Sequence, residues 1–148
     1  MHSIAEQLVK LSETITANRE HYLLVARLGR GFVGVVRPKG MRQWARKQCY
    51  RSAVSLAQRN EGFVYVEGFA CGDNGMPLFE HAWLTRDGFH AIDPTLPNAE
   101  RYSYFGICFH GRTISEMICQ EPRYTFLHPT RITSARAVLA AQDDPLGG

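Results

Sequence analysis

The stretch Leu78-Phe79-Glu80-His81-Ala82-Trp83-Leu84-Thr85-Arg86-Asp87-Gly88-Phe89-His90-Ala91-Ile92-Asp93 decides how this chain folds. Two apolar runs, Leu78 to Thr85 and Phe89 to Asp93, flank Arg86-Asp87-Gly88, and a short Asp-Gly connection between such runs reads as an antiparallel hairpin. As a three-residue loop, a type I turn with Gly88 left-handed at a bulge, the connection pairs Thr85 with Phe89, Trp83 with Ala91 and His81 with Asp93. His81 and Asp93 then share one face of the sheet, with Cβ atoms about 5 Å apart. A two-residue Asp87-Gly88 loop shifts the parity and sends Asp93 to the opposite face. The turn therefore decides whether a carboxylate meets an imidazole.

Upstream of the hairpin, Phe63 to Ala70 reads as another strand, followed by the loop Cys71 to Pro77. Downstream, a turn region beginning at Pro94 leads into a fourth strand, Tyr102 to Phe109. Residues 49 to 59 carry the apolar stripe Ala53, Val54, Leu56 and Ala57 and read as a helix, ended by Asn60-Glu61-Gly62. Ile4, Leu8, Leu11 and Ile15 recur at helical spacing and predict an amphipathic scaffold helix over residues 3 to 18. Phe32 to Val36 is a short extended segment closed by Pro38-Lys39-Gly40. Near the C-terminus, Thr113 to Gln120 and Ser134 to Gln142 have helical character, Tyr124 to Leu127 reads as a last strand, and residues 143 to 148 as a disordered tail. The expected fold class is α+β: N-terminal helices packed on an antiparallel sheet, in a single domain spanning residues 1 to 142. A chain of 148 residues, 45% of them hydrophobic, suffices for one such core and is short for two.

Composition narrows the function classes. Glu6, Gln7 and Lys10 interrupt the N-terminal segment where a signal peptide needs an apolar run, and no apolar stretch reaches the roughly 20 residues that span a bilayer. A cytoplasmic protein without membrane association is expected. Cys49, Cys71, Cys108 and Cys119 form no CxxC pair, which fits free thiols better than a zinc ribbon or a disulfide framework. Charge is unevenly spread: residues 1 to 60 hold eleven Lys/Arg against three Glu, whereas residues 61 to 148 hold six against eleven acidic residues. Arg37, Lys39, Arg42, Arg46, Lys47 and Arg51 bracket Cys49, and such a cluster lowers a thiol pKa, attracts an acidic partner, or is simply a solvated basic face.

A cysteine nucleophile acts as its thiolate, which is favoured at a helix N-terminus and beside cationic groups. Cys49 opens the segment 49 to 59 and has both in its sequence neighbourhood. His81 and Asp93 supply a base and the carboxylate that orients it. Taken singly, each has a plainer reading: Cys49 as a small buried hydrophobe, His81 as a backbone-bonded strand residue, Asp93 before Pro94 as a turn former. Their joint order, spacing and facing favour the triad. Trp83 is expected to pack beside His81 as a wall of the cleft. Cys71, Cys108 and Cys119 read as core or loop thiols, and His90, His110 and His128 as surface residues. Glu67 and Glu80 form a paired-carboxylate site only if their strands are neighbours, and otherwise face solvent. A metal held by Cys49, His81 and Asp93 has suitable donor types but no locally spaced ligand pair, so neither a metal nor an organic cofactor is expected.

Lys47-Gln48-Cys49-Tyr50-Arg51-Ser52-Ala53 resembles the nucleophile motif of the transglutaminase-like, papain-like superfamily, in which Gln-Cys-aromatic opens a helix. His81-Ala82-Trp83 followed by Asp93-Pro94-Thr95 resembles its His-Ala-Trp strand and Asp-Pro-Thr strand end, in the same order. The likeness covers about residues 43 to 95. It implies a transglutaminase-like core in which Cys49 attacks an amide or thioester carbonyl, His81 shuttles the proton and Asp93 orients His81. The backbone N–H of Cys49 would form part of the oxyanion hole, with Gln43 or Gln48 as its side-chain partner. The implied partner is a protein or peptide-like amide substrate, and protease, deamidase, amidase and transglutaminase activities share this chemistry. The second reading, from another class, is a binding module whose segment Arg37 to Arg51 contacts nucleic acid or an acidic protein, with Trp44 and Tyr50 as the interleaved aromatics.

Overall fold

The computed structural model describes residues 3–45, 48–73, 77–120, 126–127, 131–142 and 144–146. The architecture is α+β, and the helix Cys49–Arg59 and the strand Tyr102–Phe109 have the bounds read from sequence. Helix α1 (Ile4–Thr14) is capped by the Ser3 hydroxyl, which accepts from the Glu6 N–H at 3.2 Å. The expected helix over residues 3 to 18 ends at Thr14, gives way to a 3-10 turn (Thr16–Asn18), and is followed by a second helix, α2 (Arg19–Leu28). Strand β1 (Arg30–Gly34) comes next, then irregular chain over residues 35–45, and α3 (Cys49–Arg59). Strands β2 (Val64–Gly72), β3 (Phe79–Thr85), β4 (His90–Ala91) and β5 (Tyr102–Phe109) complete the sheet, and α4 (Gly111–Gln120) and α5 (Ile132–Ala141) follow. Of the expected strand Tyr124 to Leu127, Tyr124 and Thr125 lie outside the described residues. Phe126 and Leu127 are buried but not in a strand.

The strand order is β3-β2-β5-β1-β4, antiparallel except for β4, which runs parallel to β1. The sheet is thus mixed, where an antiparallel one was expected. The expected hairpin is also corrected. Leu84 and Ile92 exchange both backbone hydrogen bonds, at 2.9 and 2.8 Å, so pairing is offset by two residues from Thr85–Phe89. The cause is Asp87, whose Oδ1 accepts from the N–H groups of both Phe89 and His90 and holds them in the turn. Gly88 does take a left-handed conformation (φ 81°). An offset of two preserves parity, so His81 and Asp93 stay on one side of the sheet.

Because β4 pairs with β1 at one end of the sheet while Ile92 bridges back to β3 at the other, the sheet curls on itself. Its inner face holds a cluster drawn from all five strands, including Phe32, Val66, Trp83, Ala91, Tyr104 and Cys108. Its outer face, with Tyr65, Phe69, Leu84 and Phe109, carries the helices through residues such as Leu8, Val25, Val54, Ile114 and Ala135. Gly68 and Gly106 are cross-strand neighbours on the inner face, and a Cβ on Gly106 would come within 2.7 Å of the Trp83 ring. Of the C-terminal residues 143 to 148, the described Leu146 packs against the inner cluster.

Candidate active site

His81 lies on β3 and Asp93 two residues beyond β4, and the two meet because the odd-numbered positions of β3 point into the curl. His81 Nε2 stands 2.7 Å from Asp93 Oδ2, with both side chains buried. Asp93 is wholly enclosed, and each carboxylate oxygen is occupied. Oδ1 accepts from the Thr95 N–H (2.9 Å), the Thr95 hydroxyl (3.1 Å) and the Leu96 N–H (3.1 Å). Oδ2 accepts from the Tyr104 hydroxyl at 2.8 Å besides facing His81. The turn-forming and imidazole-orienting readings of Asp93 therefore hold together: one oxygen makes the turn before Leu96, the other holds the ring.

Burial works against charge on Asp93, but the His81 hydrogen bond and charge, with the backbone N–H groups of Thr95 and Leu96, hold its carboxyl below the usual range. Burial likewise opposes the charged form of His81. The hydrogen bonds and charges supplied by Asp93 and Cys49 outweigh it and raise the imidazole to about 9. With Nε2 committed to Asp93, Nδ1 is the nitrogen left for the Cys49 thiol. Aromatic rings surround the imidazole: Phe79 edge-on at 5.6 Å, Trp83 stacked at 6.3 Å and Tyr104 tilted at 6.3 Å between centroids.

Cys49 is the first residue of α3, and no side chain caps that helix. The chain before it is irregular over residues 41–45, with the Trp44 N–H donating to the Pro94 carbonyl at 2.8 Å. That bond ties the approach to the cysteine to the turn holding Asp93. Ser52 donates its hydroxyl to the Cys49 carbonyl at 3.1 Å, securing the first turn. Arg46 and Lys47, part of the basic bracket, lie outside the described residues. Cys49 and His81 both line a cavity of about 350 Å³ with Leu78, Phe79, Leu96 and Tyr102, and with the exposed Pro77 and Glu80.

No protein-family model, curated protein or solved structure matches this chain. The site is therefore read from its own atoms.

Several expected members lie elsewhere. Trp83 packs beside His81 as expected but is wholly buried in the inner cluster, so it supports the imidazole from below and presents no cleft wall. Gln43 is tied by its amide, donating to the Thr95 carbonyl and accepting from Arg37, both at 3.2 Å. Gln48 is exposed at the position preceding α3, and neither glutamine lines the cavity with Cys49. Trp44 is half-buried under the Arg42 guanidinium at 4.8 Å, and Tyr50 packs against the outer core, its hydroxyl pushed far up by burial and by the charge of Glu67. Glu67 and Glu80 are on neighbouring strands but make no carboxylate pair. Glu67 is buried, accepting from the Tyr65 hydroxyl and the Phe126 and Leu127 N–H groups, while Glu80 Oε1 stands 3.4 Å from His21 Nδ1. Its expected solvent-facing position is thus overturned for Glu67.

His90 is exposed and bonded to Asp87, and Cys108 is buried with its thiol pushed up to about 11 by that burial. His128 and the side chain of Cys119 lie outside the described residues. Among the described residues no group of three His, Cys, Asp or Glu side chains converges as a metal would require, and no helix is long and apolar enough to cross a membrane. The residue the sequence reading missed is Tyr104. A signal was available: Tyr104 shares the inner face of β5 with Cys108, and a tyrosine inside a buried strand needs a hydroxyl partner, for which a buried Asp is suited.

Proposed function

We propose that the chain is a cysteine-dependent acyl-transfer or amide-hydrolysing enzyme of transglutaminase-like type. The observation that supports this reading is an imidazole bonded to a buried carboxylate and lining one solvent-reaching cavity with Cys49, the first residue of a helix, whose thiol helps raise the imidazole to about 9. An imidazolium beside sulfur stabilises the thiolate, the nucleophilic form. The Cys49 thiolate attacks the carbonyl carbon of an amide, and the negative charge passes to oxygen. The N–H groups of the first turn of α3, Cys49 among them, face out of the helix end and stabilise that oxyanion.

His81 then gives its proton to the departing nitrogen, the C–N bond breaks, and a thioester remains on Cys49. Water or an amine enters next. His81 takes its proton, the new bond to carbon forms, and the sulfur leaves as thiolate. Asp93 is the positioning residue: it fixes which ring nitrogen faces the sulfur and stabilises the charged ring. Hydrolysis and transfer differ only in the second nucleophile.

Exposure of the protein to a p-nitrophenyl acyl ester, followed by intact-mass and peptide mapping, tests the reading. A transient acyl adduct on Cys49 is expected, lost in Cys49→Ala and strongly slowed in His81→Gln. An adduct that forms equally fast in His81→Gln, or on other cysteines first, refutes it.

A further inference from the structure

The cavity beside Cys49 also carries information on what the site accepts. The groups flanking the two reactive side chains are largely apolar: Leu78, Phe79, Leu96, Tyr102 and Pro77; Glu80 also lines the cavity, but its side chain lies on the opposite face of β3, with Oε1 3.4 Å from His21 Nδ1. A volume of about 350 Å³ lies at the low end of small-molecule sites, which run from about 300 to 1,000 Å³. It suits one residue-sized group rather than an extended chain. A carbonyl attacked by the Cys49 sulfur must sit about 3–3.5 Å from it, so the substituent nearest that carbonyl has this cavity as its neighbour.

Resting on the acyl-transfer reading of the site, we infer that its substrates carry an uncharged apolar group, aromatic or branched aliphatic, next to the reacting carbonyl. An apolar group there displaces water from these five side chains. An anion there forfeits its hydration against a largely apolar lining.

The test uses three alkylating probes on the full chain: iodoacetamide, N-benzyl-2-chloroacetamide and N-chloroacetylglycine. In each, the Cys49 sulfur forms a bond to the methylene carbon and halide leaves, so one chemistry reports three substituents. Rates at Cys49 are divided by those of free glutathione. The benzyl probe is expected to exceed the acid by at least about 10-fold after this correction, in line with the discrimination an apolar pocket gives.

Rapid iodoacetamide labelling with no preference between the other two overturns the pocket inference while leaving the nucleophile reading intact. Iodoacetamide labelling of Cys49 no faster than of Cys71 refutes the nucleophile. In that case chemical-shift changes at Leu78, Leu96 and Tyr102 in Cys49→Ala decide the pocket: N-benzylacetamide moving them more than N-acetylglycine sustains it, and the reverse or no change overturns it.

Discussion

Replacing Asp93 by Asn tests the electrostatics of the site without any substrate. Asn keeps an oxygen for the Thr95 and Leu96 N–H groups but withdraws the anion that stands 2.7 Å from His81. In the native fold His81 titrates at about 9, against 6.5 in its ordinary state. A histidine whose folded value is raised contributes stability that is fully present below about 6.5 and lost as pH rises through about 9. At about 1.4 kcal/mol per pH unit of displacement, the loss by pH 9 is about 3 kcal/mol. For a chain of this length that is a fall in Tm of about 6–12 °C between pH 6 and pH 9.

Asp93 has the opposite sign. Its folded value is lowered, so its contribution is present above the ordinary carboxylate range and lost as pH falls through the folded value. Stability is therefore greatest between about pH 4 and 6.5. Asp93→Asn leaves a buried imidazole without a counter-ion, which costs about 3–5 kcal/mol near pH 6 if the ring stays charged. The ring then loses its proton instead, and the decline between pH 6 and 9 vanishes. Urea melts of both proteins at pH 6, 7, 8 and 9 read this as a difference between two curves, which cancels groups elsewhere. Parallel curves for the two proteins would falsify the coupled pair.

Tyr104→Phe removes one of the donors to Asp93 Oδ2 and should cost about 1.5–3 kcal/mol in a urea melt, the range for hydrogen bonds to charged groups; a loss under about 0.5 kcal/mol places that hydroxyl outside the network. Gly68→Ala puts a Cβ within 2.2 Å of the Phe105 carbonyl oxygen, a backbone atom that cannot step aside, so a soluble yield or Tm near wild type contradicts the packing described. Glu67→Gln turns an N–H₂ toward N–H donors and should lower stability by about 1–3 kcal/mol, with faster amide exchange at Phe126 and Leu127 as the local signature. Neutralising Arg42 and Arg51 should leave heparin retention within a small salt increment of wild type, because Arg42 is already stacked on Trp44; a large shift favours the binding-module reading instead.

The β-rich half of the chain was legible because strands of five to nine residues announce themselves by composition, and parity survives errors of two. His81 and Asp93 could be placed on one face without knowing the turn, provided its length was not even. The partner of β4 was not legible. Two residues of strand carry no pattern that distinguishes a parallel neighbour 57 residues upstream from an antiparallel one across a turn, and the Asp87 side chain, by capturing two N–H groups, settled it locally. Helix α2 was hidden by polarity at its start, Arg19-Glu20-His21, although its buried face holds Tyr22, Leu24 and Val25.

The cleft walls were misassigned for a related reason. Trp83 carries the larger surface and looks like a recognition residue, yet the alternation that puts His81 inside the curl puts Trp83 there too, one rung deeper. The aromatic rings that line the cavity are instead Phe79 and Tyr102, toward the open end. A Glu between Tyr65 and Phe69 on the same strand face, as Glu67 is, could have been read as buried from the company it keeps.

The inner core explains why so small a domain can hold a charged pair out of water. A buried ion pair is costly unless every remaining lone pair is satisfied. Here Asp93 is satisfied by three donors from its own turn and one from β5, so the carboxylate is fixed before the imidazole arrives. Trp83 fills the space below His81 at the expense of its own indole N–H, which has no hydrogen-bond partner among the described residues. Gly106 makes room for that ring. The strand alternation thus stacks a rigid aromatic floor, a fixed anion and an imidazole in sequence, and leaves the imidazole lining the same cavity as Cys49 at the start of α3.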